Sequence, residues 1–424
     1  MTALPIPPLA LRRSRAGFTL VELMVALTAG LFVSIVVFAL AKQGSRFYQR
    51  EARAANATLA NVIGFQRLRE DIARAGFLST PNASRDPQVC GQNAWPNGAL
   101  RSLASVRIVQ GGSPDDGWFD TRGLSPDAIV IAGSFQSTDQ FPVRTVVSTG
   151  AGAQVFLQVN SGAMSRIRYD SGDPDAVELL ATAFPVGRVL RIVDTTGMQH
   201  FGVVSAHQAG PNPNITLADS PSLNFQGGLA CGLRGNATGA MANLVQFMRY
   251  ELRNLSGLAA RYGALYTASA DAPHEEARRE LVRVELDPLS TTDGAFAGTE
   301  ELVAEYAVDL KFGITAVDQV TAGANPTLVT LDPGDATIED TAGDANTILA
   351  ANQGPHFIRA VRVRLSTRSR EADREADINA GADPSISAGL YRIGLGDDNS
   401  APFARVRTIQ ADVALRNQPR AYFQ

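Results

Sequence analysis

A chain of 424 residues, 45% of them hydrophobic, can bury a sizeable core and holds one large or two joined domains. Its formal charge of −4 carries no basic excess of the kind that drives bulk nucleic-acid binding, so nucleic acid is not an expected partner. Four scattered histidines (His200, His207, His274 and His356) and the lack of any H-E-x-x-H, G-x-S-x-G or P-loop pattern leave catalysis without a visible seat, and no cofactor or metal is called for.

At the N-terminus, Arg12, Arg13 and Arg15 precede Gly17-Phe18-Thr19-Leu20-Val21-Glu22. The run from Phe18 to Ala41 then contains one charge, Glu22, and no proline. As a helix it reaches about 36 Å, enough to cross a bilayer core. A carboxylate inside such a helix costs roughly 3 kcal/mol unless it finds a partner. A cut between Gly17 and Phe18 would create a cationic α-amine one helical turn from Glu22, or from the same position on a neighbouring subunit, and assembly would neutralise both charges.

This arrangement resembles the class III signal of type IV prepilins. The resemblance implies a leader over residues 1–17, removed by prepilin peptidase after Gly17. It implies N-methylation of Phe18, a role for Glu22 in assembly, and retention of 18–41 as the transmembrane and filament-core helix. A secretory signal would instead lose its apolar segment, because its cleavage site follows that segment. The plainer reading of Glu22, an acid at the positive end of the helix dipole of a signal anchor, stays open. Lys42, Arg46, Arg50 and Arg53 follow the span, so charge alone does not orient it. The resemblance does, with processing on the cytoplasmic side and the bulk of the chain outside, and the four cations then snorkel to the interface or meet acidic neighbours.

Residues 42–76 continue the helix, with Phe65, Leu68, Ile72 and Ala75 on one face at spacings that predict docking on a sheet. Arg67 with Asp71 and Glu70 with Arg74 make i, i+4 pairs and predict a solvated opposite face. Gly76, and Pro81 beyond it, end the helix. The stretch from Arg67 to Phe77 also resembles the helix end of PilW-type minor pilins and of J-type secretion pseudopilins.

From 77 to 243, clusters of glycine, proline, asparagine and aspartate separate short β-branched runs: Ser105 to Val109, Ala128 to Ile131, Val155 to Val159 and Arg188 to Val193. A loop-rich β head fits this texture. The two cysteines, Cys90 and Cys231, would lie outside the cytoplasm, where a disulfide between them is expected. Closing so long a loop restricts the unfolded chain by roughly 5 kcal/mol. The alternative is two separate small buried hydrophobes.

Over 244–424 alternation returns. Leu302, Ala304, Tyr306, Val308, Leu310 and Phe312 share one strand face, with Glu305, Asp309 and Lys311 on the other. Val361, Val363 and Leu365 oppose Arg362, Arg364, Arg368 and Arg370, and Val406 with Ile409 marks a strand near Arg405 and Arg407. These predict half-buried antiparallel strands packed on the helix. The segments 302–310, 358–365 and 413–417 resemble the C-terminal half of PilW-type proteins. The arginines read either as a basic stripe or, as is usual, as a solvated strand face paired with acids such as Glu305 and Asp309. Residues 316–355 read as a mobile surface loop, whose Asp332, Asp335, Asp340 and Asp344 could offer calcium oxygens but do not match an EF-hand.

The fold expected is therefore α+β and type IV pilin-like: a long N-terminal α-helix packed on an antiparallel β-sheet, with a large loop-rich β extension. The resemblance implies a minor pilin that helps initiate type IV pilus assembly, in a tip complex. Its expected partners are prepilin peptidase, other minor pilins and the major pilin, the inner-membrane assembly platform, an adhesin-like tip protein, and membrane lipid before assembly. It implies residence in the inner membrane, with most of the chain periplasmic, and then in the pilus. The alternatives are a J-type minor pseudopilin of a type II secretion system and a membrane-tethered adhesin or receptor head.

Overall fold

The structure, a computed structural model, describes residues 18–114, 117–149, 152–225, 231–233, 237–266, 275, 278–318, 327–334, 354–372, 392–396 and 399–418. Gly17 and the rest of the expected leader lie outside these residues. The chain divides into two compact units, Met1–Leu59 and Ala60–Gln424.

The first unit contains the start of helix α1, which as a whole spans Leu20–Arg74. Within it Leu20–Ser45 is long and apolar enough to cross a membrane, with a mean hydropathy of 2.6 and none of it buried inside the protein. Two of its hydroxyls are returned to the helix backbone: Thr28 donates to the Met24 and Val25 carbonyls, and Ser34 to that of Gly30. Such internal satisfaction suits a helix that has no water beside it.

In the second unit the last turns of α1 bury Phe65, Leu68, Ile72 and Ala75, the face that the spacing predicts. They share a core with residues of two antiparallel sheets. Gly64 allows the closest approach, since a Cβ there would clash with the Val303 carbonyl oxygen and lie 2.9 Å from the Ala304 Cβ. Gly76, at φ +75°, stops the helix and donates its N–H to the Ala132 carbonyl at 2.8 Å.

The expected solvated face of this segment differs at Asp71, which is 4% exposed. Its Oδ2 accepts from the Tyr250 hydroxyl at 2.7 Å and from Arg283 Nε at 2.8 Å, with Arg67 only 3.9 Å away in support. The i, i+4 spacing identified the weakest of its partners. Arg74 likewise turns from Glu70 to the Ser134 and Phe135 carbonyls.

Strands β1 (Val106–Val109) and β2 (Ala128–Gly133) are followed by β3 (Phe141–Thr149), β4 (Gly152–Leu157), β5 (Val189–Val193), β6 (Gln199–Gln208) and β7 (Asn214–Leu217). Between β4 and β5 lie short helices α2 (Gly162–Arg166) and α3 (Ala176–Ala183). Strand β8 (Met241–Arg253) has two roles. Its start pairs with β3, Ala242 opposite Phe141, and with β5, Val245 opposite Val189. This closes β8-β3-β4-β7-β6-β5 into a six-stranded barrel. Val143, Val155, Leu190, Ile215 and Leu217 belong to its core, joined by Met164 of α2 and Leu180 of α3. Closure leaves these short strands no free edge, so a region that reads as loops becomes a packed body.

The rest of β8 lies between β2 and β9 (Glu280–Glu285), with Gly133 of β2 opposite Gln246. β2 and β8 are therefore neighbouring antiparallel strands, and the barrel is inserted between them. β10 (Glu301–Ala304) completes the order β1-β2-β8-β9-β10. The second sheet follows from β11 (Ala307–Asp318), β12 (Thr327–Leu331), β13 (Ile358–Arg368), β14 (Arg392–Gly394) and β15 (Phe403–Ala414), in the order β12-β11-β13-β15-β14. All of its pairings are antiparallel.

The single strand expected over 302–312 is two strands. The chain turns at Tyr306, φ +54°, leaving the first sheet after Ala304 and entering the second at Ala307. The alternation survives because Ala304, Val308, Leu310 and Phe312 are buried on both sides of the turn. Part of the range expected to loop, 316–355, is strand as well: the end of β11 pairs with β12, Asp318 opposite Thr327. β12 is an edge strand with little burial, which is why its sequence shows no amphipathic period. Residues 319–326 and 335–353 of that range lie outside the described residues.

Candidate functional site

At the helix start, Thr19 and Glu22 form a reciprocal pair. The Glu22 N–H donates to Thr19 Oγ1 at 3.2 Å, while Glu22 Oε2 accepts from the Thr19 N–H and hydroxyl, each at 3.0 Å. This is a capping box, in which an acid three residues into the helix returns to the capping residue. The Thr-x-x-Glu pattern at 19–22 was the signal for it. Glu22 thus has a local partner in the chain before any cleavage, and Phe18, 88% exposed, stands just ahead of the cap. Lys42 is exposed too. The side chains of Arg46, Arg50 and Arg53 lie outside what the structure describes.

Arg362, Arg364 and Arg370 are engaged with acids, as the cross-strand reading expects, with Asp309 among those acids but not Glu305. Arg362 Nε contacts Asp412 at 2.6 Å and also pairs with Asp332. Arg364 reaches Asp309 at 3.5 Å, and Arg370 reaches Glu275 at 2.7 Å. Glu305 pairs with Arg278 instead. Arg368 is 3% exposed and lies over the Tyr306 ring at 4.9 Å, and burial pulls its guanidinium down to about 10. Arg405 is half-buried and Arg407 exposed on β15.

Around Tyr306 the sequence reading missed a buried ionic cluster. Arg278 contacts Glu275 and Glu280, the Tyr306 hydroxyl donates to Glu275, and the Tyr306 N–H donates to Glu280 Oε2 at 3.1 Å. Burial pushes the Glu280 carboxyl up to about 7, against the pull of Arg278. Glu275, Arg278 and Glu280 are close in sequence, but they meet Tyr306, 26 to 31 positions on from the two glutamates, only where the chain crosses between sheets, so no local pattern announces the cluster.

Cys90 and Cys231, 141 positions apart, are joined with Cα atoms 5.4 Å from each other. Cys90 donates its N–H to the Gln199 carbonyl of β6, which places the bridge beside the barrel. Of the acids considered for calcium, Asp332 is paired with Arg362, and Asp335, Asp340 and Asp344 lie outside the described residues. Among the described residues no group of three or more His, Cys, Asp or Glu could hold a metal ion. His200 faces Asp194 at 3.7 Å, and burial holds it below the usual imidazole range. His356 is buried as well, pushed down to about 4 by desolvation and by Arg85 and Arg359. His274 lies outside the described residues.

A family model described as the prokaryotic N-terminal methylation motif matches residues 12–38. No curated protein and no solved structure matches the chain. The motif supports a type IV pilin-type protein. It implies a pilin-like chain processed by prepilin peptidase, structural rather than enzymatic in character. Together with the exposed apolar helix it fits a membrane-anchored pilin.

Proposed function

We propose that the chain is a PilW-type minor pilin, cleaved between Gly17 and Phe18, N-methylated at Phe18, and built into a tip complex that primes type IV pilus growth. The observation that carries this reading is the methylation motif over residues 12–38, followed at once by the unburied apolar helix. Before assembly the helix lies in the inner membrane with the rest of the chain in the periplasm. Extraction exposes its apolar surface, and only a bundle of similar helices, contributed by other minor pilins and the major pilin, buries it again. The assembly platform of the inner membrane is where that exchange takes place, and an adhesin-like protein is a further tip partner. Cys90 and Cys231 stay bonded in the oxidising space outside the membrane. Mass spectrometry of the mature N-terminus, with and without prepilin peptidase, tests the proposal. Phe18 is expected as an N-methylated terminus only when the peptidase is present, and the reading is falsified if it never becomes one.

A second reading, a membrane-tethered adhesin or receptor, draws support from the barrel, a separately cored body inserted between β2 and β8. Loss of adhesion with normal piliation on removing the barrel would favour it.

A further inference from the structure

The chain carries 38 lysines and arginines, and of these only Lys42 and Lys311 are lysines. Lys42 belongs to the apolar helix, so Lys311 is the single lysine of the sheets and barrel. Elsewhere among the described residues buried acids meet arginines, as at Asp71, Glu251 and Glu280. The difference is chemical: a guanidinium stays charged, whereas a buried lysine can give up its proton and act as a nucleophile.

Lys311 lies on β11, where its Nζ donates to the Ser125 carbonyl and to Asp127 Oδ1, the latter at 2.9 Å. The Asp127 side chain is 1% exposed and that of Lys311 19%. Asp127, just ahead of β2, is fixed from three sides. Its N–H donates to the Leu310 carbonyl at 2.8 Å, its Oδ2 accepts from the Phe312 N–H at 3.1 Å, and its Oδ1 accepts from the Gly111 N–H at 3.1 Å.

A second buried carboxyl stands beside the pair. Asp309, two residues before Lys311 on the same strand face, is 5% exposed. Burial pushes its carboxyl above the usual range, against the pull of Arg364 and Lys311, and the charge of Asp127 adds to the rise. Two opposite charges sealed from water are costly to keep, and passing one proton from the ammonium to Asp127 leaves a neutral amine against a neutral carboxyl. The amine then stands one bond away from Cγ, the carbon it would attack, with no orientation left to find.

We infer that Lys311 and Asp127 condense into an intramolecular isopeptide bond, with Asp309 relaying a proton between them. The ammonium gives one proton to Asp127 Oδ1, and the freed amine attacks Cγ, forming the Nζ–Cγ bond. A second proton passes from Nζ through Asp309 to Oδ1, the Cγ–Oδ1 bond breaks, and one water leaves. No oxidant or co-reactant is consumed. Oδ2 becomes the amide oxygen and carries the developing charge while the Phe312 N–H holds it. Closure of the site around Asp127 keeps water from reversing the step. The bond staples the approach to β2 in the first sheet to β11 in the second, and the inference does not depend on the pilin reading.

Mass spectrometry of the full chain tests it, on protein made without prepilin peptidase, purified in nonionic detergent, then reduced and denatured. The unaltered chain is expected to be lighter than its sequence by one water, and Lys311→Arg, which keeps the cation, to show its full mass. Tryptic mapping locates the loss and needs no variant: the bond blocks cleavage after Lys311 and joins residues 123–144 to 284–359 in one product. In chain synthesised in vitro and sampled over time, Asp309→Asn should accumulate that product roughly a hundredfold more slowly. The inference is overturned if the unaltered chain shows its full mass and yields a peptide ending at Lys311, the outcome of an ion pair only. It is overturned equally if the loss of water persists in Lys311→Arg, or if Asp309→Asn links as fast as the unaltered chain.

Discussion

In the uncleaved chain Glu22 closes the capping box with Thr19, and in the proposed mature subunit the same carboxylate meets a new α-amine at Phe18. The two roles separate by mutation. Thr19→Ala removes the cap, typically worth about 1 kcal/mol of helix stability, and leaves the charge. Glu22→Ala removes both. Both variants should be cleaved, with incorporation into sheared filaments reduced several-fold more by Glu22→Ala than by Thr19→Ala; equal filament content for the two on immunoblots would tie Glu22 to capping alone. Asp71 teaches a different lesson. Its sequence neighbours suggested a solvated ion pair, whereas its strong partners Tyr250 and Arg283 lie 179 and 212 positions away. Asp71→Ala should cost roughly 3–5 kcal/mol in chemical unfolding, because it strips a buried carboxylate from Arg283. Tyr250→Phe, which removes one hydrogen bond, should cost about 1–2 kcal/mol.

The docked end of α1 was legible from its apolar period, because Phe65, Leu68, Ile72 and Ala75 recur on one helical face whatever they pack against. What Gly64 is for was not. Only the tertiary structure brings the Val303 carbonyl against it, so a residue that looks like a weak point in a helix is the reason the helix can lie so close to β10. Gly64→Ala would gain helix propensity, yet the clash should outweigh it, with a net loss of about 1–3 kcal/mol in the same assay. A Gly64→Ala protein as stable as the original would show that β10 yields to the helix. Strand alternation was legible in the same way, and it misled at Tyr306: a period of two continues through a turn when buried residues lie on both sides of it.

For the molecule as a whole, the insertion of the barrel between adjacent strands makes an excision experiment specific. Because Gly133 and Gln246 are paired across β2 and β8, replacing residues 137–243 with a short Asn-Gly turn joins strands that are already neighbours. The shortened chain should keep a protease-resistant body containing the helix end and both sheets. It should also be less stable than the parent, since Val130, Ala132, Phe247 and Val284 lose barrel-side partners such as Phe201 and Val203. Complete digestion under conditions the parent survives would mean that the barrel and sheet form one inseparable core.

The sequence by itself determined the membrane-crossing helix, its signal, its buried face and most of the strand positions. Each of these rests on a local pattern whose physics acts over a few residues: hydropathy along a helix, a cap, a period of 3.6 or 2. The tertiary structure alone decided that the loop-rich region closes into a barrel, that the chain changes sheets at Tyr306, and that Asp71 and Glu280 are buried. Those outcomes depend on partners a hundred or more positions apart for ring closure and for Asp71, or on where strand ends converge. No local pattern encodes which strands will meet, and whether a charge is costly or satisfied is settled only by what meets it there.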